Sequence, residues 1–163
     1  MRDATKLNVY FNGDKTLFLI PLYQRKYAWQ RKHCERLFMD LEKVHKNNLR
    51  SHFFGSIVSI KASETEDDLL IIDGQQRITT ISLLILAAIN SVKEGIMSCE
   101  DDEFVEDMRN KYLRAKYRRV ERKIKLRPID QDLKAYDALF NGDSDKYVPA
   151  DQSSITQNYF LFC

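Results

Sequence analysis

The stretch from Leu69 to Val92 constrains the fold more than any other part of the chain. Four consecutive apolar residues, Leu69 to Ile72, are typical of a short strand buried on both faces. Asp73 and Gly74 interrupt this run, and apolar side chains then recur at helical spacing from Ile78 to Val92. Apolar residues also fill much of the remaining circumference, so we expect a helix that is buried nearly all round. The rest of the chain has to pack around this strand–turn–helix unit.

The turn of this unit is polar and reads Asp73-Gly74-Gln75-Gln76-Arg77. Free N–H groups and the helix dipole make a helix N-terminus attractive to anions. An arginine there adds a planar fork that can hold a phosphate at two points. The same residues also fit a purely structural role, with Asp73 as a helix cap and Gly74 as a turn. The turn residues alone leave both interpretations open.

The length of 163 residues suits one well-buried domain. An apolar fraction of 44% and a charged fraction of 31% are typical of a soluble globular protein. The apolar runs are too short to cross a bilayer and no secretion signal opens the chain, so we expect a cytoplasmic protein that does not contact the membrane. Cys34, Cys99 and Cys163 are too scattered for a disulfide framework or a zinc site.

The net charge of +2 conceals a strong asymmetry. Residues 100–107 carry six acids, whereas residues 109–127 carry ten Lys or Arg against one acid, Glu121. One interpretation is a long exposed helix whose acids and bases complement its dipole. The other is a basic face that meets nucleic acid or a partner domain.

The remaining elements follow from apolar spacing and from the positions of Pro and Gly. We expect strands over residues 7–11, 17–20, 53–60 and 122–127, and helices over residues 35–48, 104–119, 130–140 and 155–163. The strand at 53–60 should be central and antiparallel to Leu69–Ile72. In the helix at 35–48, the apolar side chains should face inward, namely Leu37, Phe38, Leu41 and Val44.

The segment from Tyr23 to Trp29 interleaves three aromatic residues with two bases and an amide. Burial in the core explains Tyr27 and Trp29, which precede a helix. Alternating aromatic and basic residues also suit a surface that stacks on bases and binds phosphates.

Three segments, occurring in the family's order, together resemble the GmrSD restriction-endonuclease N-terminal domain family: Phe18–Trp29 (FLIPLYQRKYAW), Phe53–Val58 (FFGSIV) and Asp73–Arg77 (DGQQR). The resemblance implies an α+β fold similar to ParB and sulfiredoxin, with a small mixed or antiparallel sheet packed by helices. It also implies that residues 1–163 form a single DGQQR-type nucleotide-binding domain. This domain would be the N-terminal part of a longer protein, without the C-terminal nuclease domain.

The family implies nucleoside-triphosphate binding, and hydrolysis in some members. Carried onto this chain, backbone amides around Gly74 would cradle the phosphates, and Arg77 would neutralise their charge. Asp73 would hold Mg²⁺ as the metal ligand. Gln75 or Gln76 would orient the attacking water.

Other positions would complete this site. Gly55 and Ser56 would border a phosphate, although Gly55 could instead relieve crowding beside a neighbouring strand. Arg25 would supply a second positive contact, and Tyr23 and Gln24 would touch nucleotide or DNA.

We therefore expect a regulatory domain of a modification-dependent restriction or anti-phage defence protein that binds and hydrolyses a nucleoside triphosphate with Mg²⁺. Expected partners are modified foreign DNA and a C-terminal nuclease domain or separate nuclease subunit, and an oligomer is compatible with the sequence. No His and Asn pair has nuclease spacing, so we expect no DNA cleavage by this chain. Two alternatives remain: a DNA-binding module without hydrolysis, using residues 109–127 and the Tyr23–Trp29 surface, and a structural adaptor that docks a nuclease domain.

Overall fold

A computed structural model describes residues 6–11, 13, 15–64, 67–117, 121–142 and 153–163. Within these ranges, helices and strands both occur, which confirms the α+β class. The helices are α1 (Leu7–Tyr10), α2 (Arg31–Lys46), α3 (Gln75–Lys93), α4 (Asp102–Tyr112), α5 (Asp130–Asn141) and α6 (Ser154–Phe162). The strands are β1 (Phe18–Leu19), β2 (Val58–Lys61), β3 (Leu69–Asp73), β4 (Arg114–Tyr117), β5 (Glu121–Ile124) and β6 (Leu126–Arg127).

Four strands form a mixed sheet in the order β2-β3-β1-β6. β2 and β3 are antiparallel, as predicted, whereas β1 is parallel to both β3 and β6. The buried Asp68 carboxylate accepts a hydrogen bond from the Leu17 backbone N–H at 3.0 Å, which fixes the start of β1 beside β3. β4 and β5 form a separate antiparallel pair.

Helix α3 lies at the centre of the core. It packs mainly against α6 and α4, and even its polar residues Thr79, Thr80 and Ser82 are buried. Its apolar side chains join Phe18 and Ile71 of the sheet in one continuous cluster. Each such side chain contributes about 1.5–3 kcal/mol on burial, so α3 dominates the packing. The prediction of a helix buried nearly all round is confirmed.

The predicted strand at residues 7–11 is wrong, because residues Leu7 to Tyr10 form the short helix α1. The predicted helix at 104–119 is also wrong beyond Tyr112, where the chain enters β4. Leu113 and Ala115 are both buried with Arg114 between them, and this alternation suits a strand. The end of that predicted helix, Arg119, lies outside the described residues.

Two further boundaries differ from the prediction. Of residues 53–60, only Val58–Ile60 enter a strand, β2, which lies at the sheet edge rather than in its centre. Gly55, with φ +99°, turns the preceding segment away from the ladder. Helix α2 begins at Arg31 and buries Cys34 and Leu37, whereas Phe38 remains 46% exposed.

The last two helices agree with the prediction. α5 ends at Asn141, and Gly142 follows in the left-handed conformation with φ +76°. α6 begins after Ser153, whose Oγ accepts a hydrogen bond from the Thr156 N–H at 3.2 Å. Cys34 is buried, and Cys163 is exposed. In the part of the chain that the structure describes, no helix has the length and apolar character needed to span a membrane.

Candidate functional site

The turn between β3 and α3 is built on Gly74. Its φ of +88° lies in the left-handed region, and a Cβ placed there would lie 2.9 Å from the Ser56 carbonyl oxygen and 3.0 Å from Ile57 Cα. The segment at Ser56 therefore crosses directly over the turn. Asp73 Oδ1 accepts a hydrogen bond from the Gly74 N–H at 2.7 Å and holds the turn from the other side. Both the backbone angle and the lack of space for a side chain therefore favour glycine at position 74.

Arg77 lies in the first turn of α3 and faces the same crossing. Its Nη2 is 3.6 Å from Asp73 Oδ2, and a Cβ on Gly55 would lie 2.8 Å from its Nη1. The Arg77 side chain is 27% exposed, whereas that of Asp73 is 68% exposed. Arg77 Nε is buried without a hydrogen-bond acceptor among the described residues. The structure therefore brings together five predicted site residues: Asp73, Gly74, Arg77, Gly55 and Ser56.

The two glutamines of the turn bind a segment that we call the strap, residues 24–29. Gln76 Oε1 accepts a hydrogen bond from the Ala28 N–H at 2.8 Å, and its Nε2 donates to the Lys26 carbonyl at 3.1 Å. Gln75 Nε2 donates to the Arg25 carbonyl at 3.1 Å. Both glutamines are only 7% exposed. The glutamine amides thus serve as hydrogen-bond partners for the backbone of the strap and hold it against α3. The sequence did not predict this role.

The strap is also tied at its beginning, and its side chains differ in their exposure. Gln24 Nε2 donates to the Ile72 carbonyl at 2.9 Å, so this amide is engaged with β3. Tyr23 is 74% exposed, and Arg25 is exposed as well. Of the predicted contact residues, Tyr23 and Arg25 therefore present their side chains to solvent.

A buried polar cluster supports the strap from beneath. Tyr27 Oη is 2.8 Å from Thr80 Oγ1 and 3.7 Å from Cys34 Sγ. Asn158 Nδ2, on α6, donates to Tyr27 Oη at 3.1 Å and to the Trp29 carbonyl at 2.7 Å. Burial raises the pKa of both Tyr27 and Cys34, so both groups are neutral at pH 7. The cluster joins α6 and α3 to the strap.

Asp132 of α5 completes the support of the strap. Its Oδ2 accepts a hydrogen bond from the Tyr27 N–H at 2.7 Å, and the residue is 6% exposed. Burial raises the pKa of this carboxyl, and the Tyr27 hydrogen bond and the Lys26 charge offset part of the rise. Asp132 lines a small, partly open pocket together with Arg25 and Gln75.

Sequence reasoning missed Asp132 and Asn158. An acid in a first helical turn is usually explained by the helix dipole, so Asp132 gave no distinct signal. Asn158 directly follows Thr156 and Gln157, so its amide also gave no distinct signal.

The basic segment at 109–127 is used internally at several described positions. Arg109 Nη2 donates to the Phe140 carbonyl at 2.7 Å, and its guanidinium lies 4.7 Å from the Phe140 ring centre. Arg114 Nη1 donates to Glu106 at 2.8 Å. Buried Lys125 donates to the Lys111 carbonyl at 2.6 Å. The side chains at 117–123 are outside the described residues.

The described residues contain no group of three or more His, Cys, Asp or Glu side chains that could hold a metal ion. Asp73 supplies the carboxylate of the turn itself, and a divalent ion held there would take further ligands from a substrate.

A family model described as the GmrSD restriction endonuclease, N-terminal domain, matches residues 7–161. The match includes β1, the strap, the turn at Gly74 and nearly all of α6. No curated protein sequence matches the chain significantly. Because the family model covers nearly the whole chain, the chain belongs to the GmrSD restriction endonuclease N-terminal domain family.

Proposed function

We propose that this chain is a nucleoside-triphosphate-binding and hydrolysing regulatory domain of a restriction or anti-phage defence protein, with the triphosphate bound at the turn between β3 and α3. The observation that carries the proposal is the position of Arg77. A half-buried guanidinium lies at a helix N-terminus, beside the backbone of Gly55, with its Nε unpaired among the described residues.

The surroundings of Arg77 favour an anion. The first N–H groups of a helix have no partner within it, and the macrodipole places partial positive charge there. The first bond of α3 runs from the Ile78 N–H to the Gly74 carbonyl at 3.1 Å, so the preceding N–H groups lie beyond the helical ladder. A guanidinium in this position adds charge-assisted hydrogen bonds to phosphate oxygens. Gly55 and Ser56 bring a second stretch of backbone to the same place.

Asp73 fits a role in holding Mg²⁺ next to a bound triphosphate. Its carboxylate is 68% exposed and lies 3.6 Å from Arg77. Mg²⁺ is commonly bound through one or two carboxylates plus substrate phosphates, which agrees with the single carboxylate found at the turn. When bound, the ion would neutralise charge that develops on the phosphates during transfer.

The two glutamines take different roles in this proposal. Gln76 uses both ends of its amide on the strap, so it positions the strap. Gln75 has its Oε1 buried without a donor in the described part of the chain. This oxygen is the better candidate to orient an attacking water.

The binding of the four common nucleoside triphosphates with Mg²⁺, measured by calorimetry, tests the proposal. We expect Arg77→Ala to weaken binding about 10-fold to 100-fold, since a hydrogen bond to a charged group is worth about 1.5–3 kcal/mol. Arg31→Ala is the matched control, because it removes an exposed arginine that pairs with Glu35. Absence of binding by the parent, or equal binding by Arg77→Ala, would return the turn to a purely structural role.

Release of phosphate, measured on the same proteins, tests the hydrolytic part separately. We expect turnover that requires Mg²⁺ and is lost in Arg77→Ala. Binding without any turnover would remove hydrolysis by this chain from the proposal and leave a nucleotide sensor.

A further inference from the structure

The strap and the first half of α2 carry an excess of exposed positive charge. Between residues 25 and 36 there are five Lys or Arg and a single acid, Glu35. We call these five residues the basic surface: Arg25, Lys26, Arg31, Lys32 and Arg36. All five are exposed. We propose that the basic surface binds the phosphate backbone of duplex DNA, an inference that rests on the proposed role in restriction and specifies its partner surface.

The strap presents its side chains from a fixed backbone. Gln75 and Gln76 bind the backbone at Arg25, Lys26 and Ala28. The strap is therefore anchored through its main chain, while the charged side chains of Arg25 and Lys26 are exposed. A recognition segment held in this way loses little conformational entropy on binding.

The first half of helix α2 carries further exposed cations on one of its faces. Cys34 and Leu37 mark its buried face. Lys32 and Arg36 are four residues apart, so they lie on one face, about 6 Å apart along the axis. This face is turned away from Cys34. Both residues lie in the first half of α2, where the helix dipole adds partial positive charge.

In the first half of α2, Arg31 pairs with Glu35 at 2.6 Å, and Lys32 and Arg36 carry the remaining positive charge. In the second half, each of the two lysines lies near its own acid. Lys43 Nζ lies 3.7 Å from Asp40, and Lys46 Nζ lies 3.2 Å from Glu42. The positive excess of α2 is therefore concentrated near the strap. In the 109–127 segment, the described cations Arg109, Arg114 and Lys125 bind carbonyls or a carboxylate of the same chain, so these three are weaker candidates for a DNA surface.

Two large side chains beside the basic surface favour nucleic acid over an acidic protein. Leu22 and Tyr23, at the turn before the strap, are 79% and 74% exposed. An exposed aromatic ring next to cations suits contacts with sugars and bases. Backbone phosphates supply a regular row of negative charge, with one charge per about 3.4 Å of each strand. We therefore expect binding that depends weakly on sequence and strongly on salt.

The test is the affinity for a fluorescent 20-base-pair duplex at several salt concentrations, without nucleotide. We expect Lys32→Ala/Arg36→Ala to weaken binding at least 10-fold and to reduce the slope of log affinity against log salt by about 2, since each phosphate contact contributes about 0.9. Lys43→Ala/Lys46→Ala is the matched control, with the same charge change on the same helix, and should bind within about 2-fold of the parent.

Several outcomes would overturn the proposal. The parent protein could fail to bind the duplex, or the Lys32→Ala/Arg36→Ala variant could bind it with the parental affinity. The Lys43→Ala/Lys46→Ala control could lose as much affinity as that variant. Polyglutamate could also compete with the labelled duplex as effectively as unlabelled DNA does. Triphosphate binding by the 32/36 variant is measured in parallel and should equal that of the parent, because neither residue belongs to the proposed nucleotide site. A failure of DNA binding is thereby distinguished from a failure of the proposed nucleotide function.

Discussion

Gly74 combines a left-handed backbone with a lack of space for a side chain. Gly95 has a similar φ of +73° but no atom within 4 Å of the position that a Cβ would take, whereas at Gly74 the Ser56 carbonyl oxygen lies 2.9 Å from that position. We expect Gly95→Ala to lower the free energy of unfolding by about 1–2 kcal/mol, the usual penalty of the left-handed region. Gly74→Ala adds crowding worth about 1–3 kcal/mol. Urea denaturation of both variants measures the difference, and equal losses would contradict the crowding at the turn.

Asp132 gives the chain a specific pH dependence. Burial raises the pKa of this carboxyl above its ordinary value near 3.8, so the folded state binds its proton more readily than the unfolded state. Between the two pKa values, this group makes stability fall as pH rises. Asparagine keeps an acceptor for the Tyr27 N–H but does not titrate. Relative to Asp132→Asn, we expect the parent to gain stability as pH falls from 7 to 4.

Thermal or urea denaturation across this pH range measures that prediction. Asp107→Asn, at an exposed position of α4, is the control for a general charge effect. Parallel stability curves for the parent and Asp132→Asn would contradict the described environment of Asp132.

The residue types of the site could be recognised from the sequence, but their partners could not. Arg77 and Gly74 stand out in a five-residue pattern that fits an anion site on local grounds. The partners of Gln75 and Gln76 lie about 50 residues away, and Asn158 lies 131 residues from Tyr27. Local spacing contains no information about such contacts. The sequence analysis therefore gave the glutamines a catalytic role through the family resemblance and did not reveal that they hold the strap.

At the scale of elements, the strap depends on the first turn of α3. Gln76→Ala would remove two hydrogen bonds to the strap backbone, which we expect to lower the free energy of unfolding by about 1–3 kcal/mol. It should also speed native-state trypsin cleavage after Arg25 or Lys26, because the released strap can enter the protease. Gln24→Ala, which removes one bond to Ile72, should have a smaller effect. Cleavage of Gln76→Ala at the parental rate would contradict the anchoring.

Elements could be predicted well where one periodicity was strong. The α3 pattern is helical over five turns, and its burial matches the structure. The 109–127 segment misleads because charged residues alternate with apolar ones in a way that fits both periods. Leu113 and Ala115 are buried through packing within the folded chain, and that packing decides between helix and strand. The helix α1 could not be recognised because four residues carry too little periodicity.

At the scale of the whole molecule, helices α5 and α6 contact the strap, which lies more than 100 residues earlier in the chain. Asn158 on α6 contacts Tyr27 and Trp29, and Asp132 on α5 contacts Tyr27. The mixed sheet likewise joins β1 to β6, which are more than 100 residues apart. The family resemblance implied the α+β class, whereas these contacts join residues far apart in the chain, which local sequence patterns do not predict. The similarity to ParB and sulfiredoxin stays a prediction.

The central claim is that a triphosphate binds at the Gly74 turn, and amide chemical shifts measured on the isotope-labelled chain test it most directly. With a non-hydrolysable triphosphate and Mg²⁺, we predict that the largest shifts fall on Gly55, Ser56 and Gly74 to Arg77, and that they vanish in Arg77→Ala. Shifts confined to other elements, or a spectrum that does not change at millimolar ligand, would contradict the account.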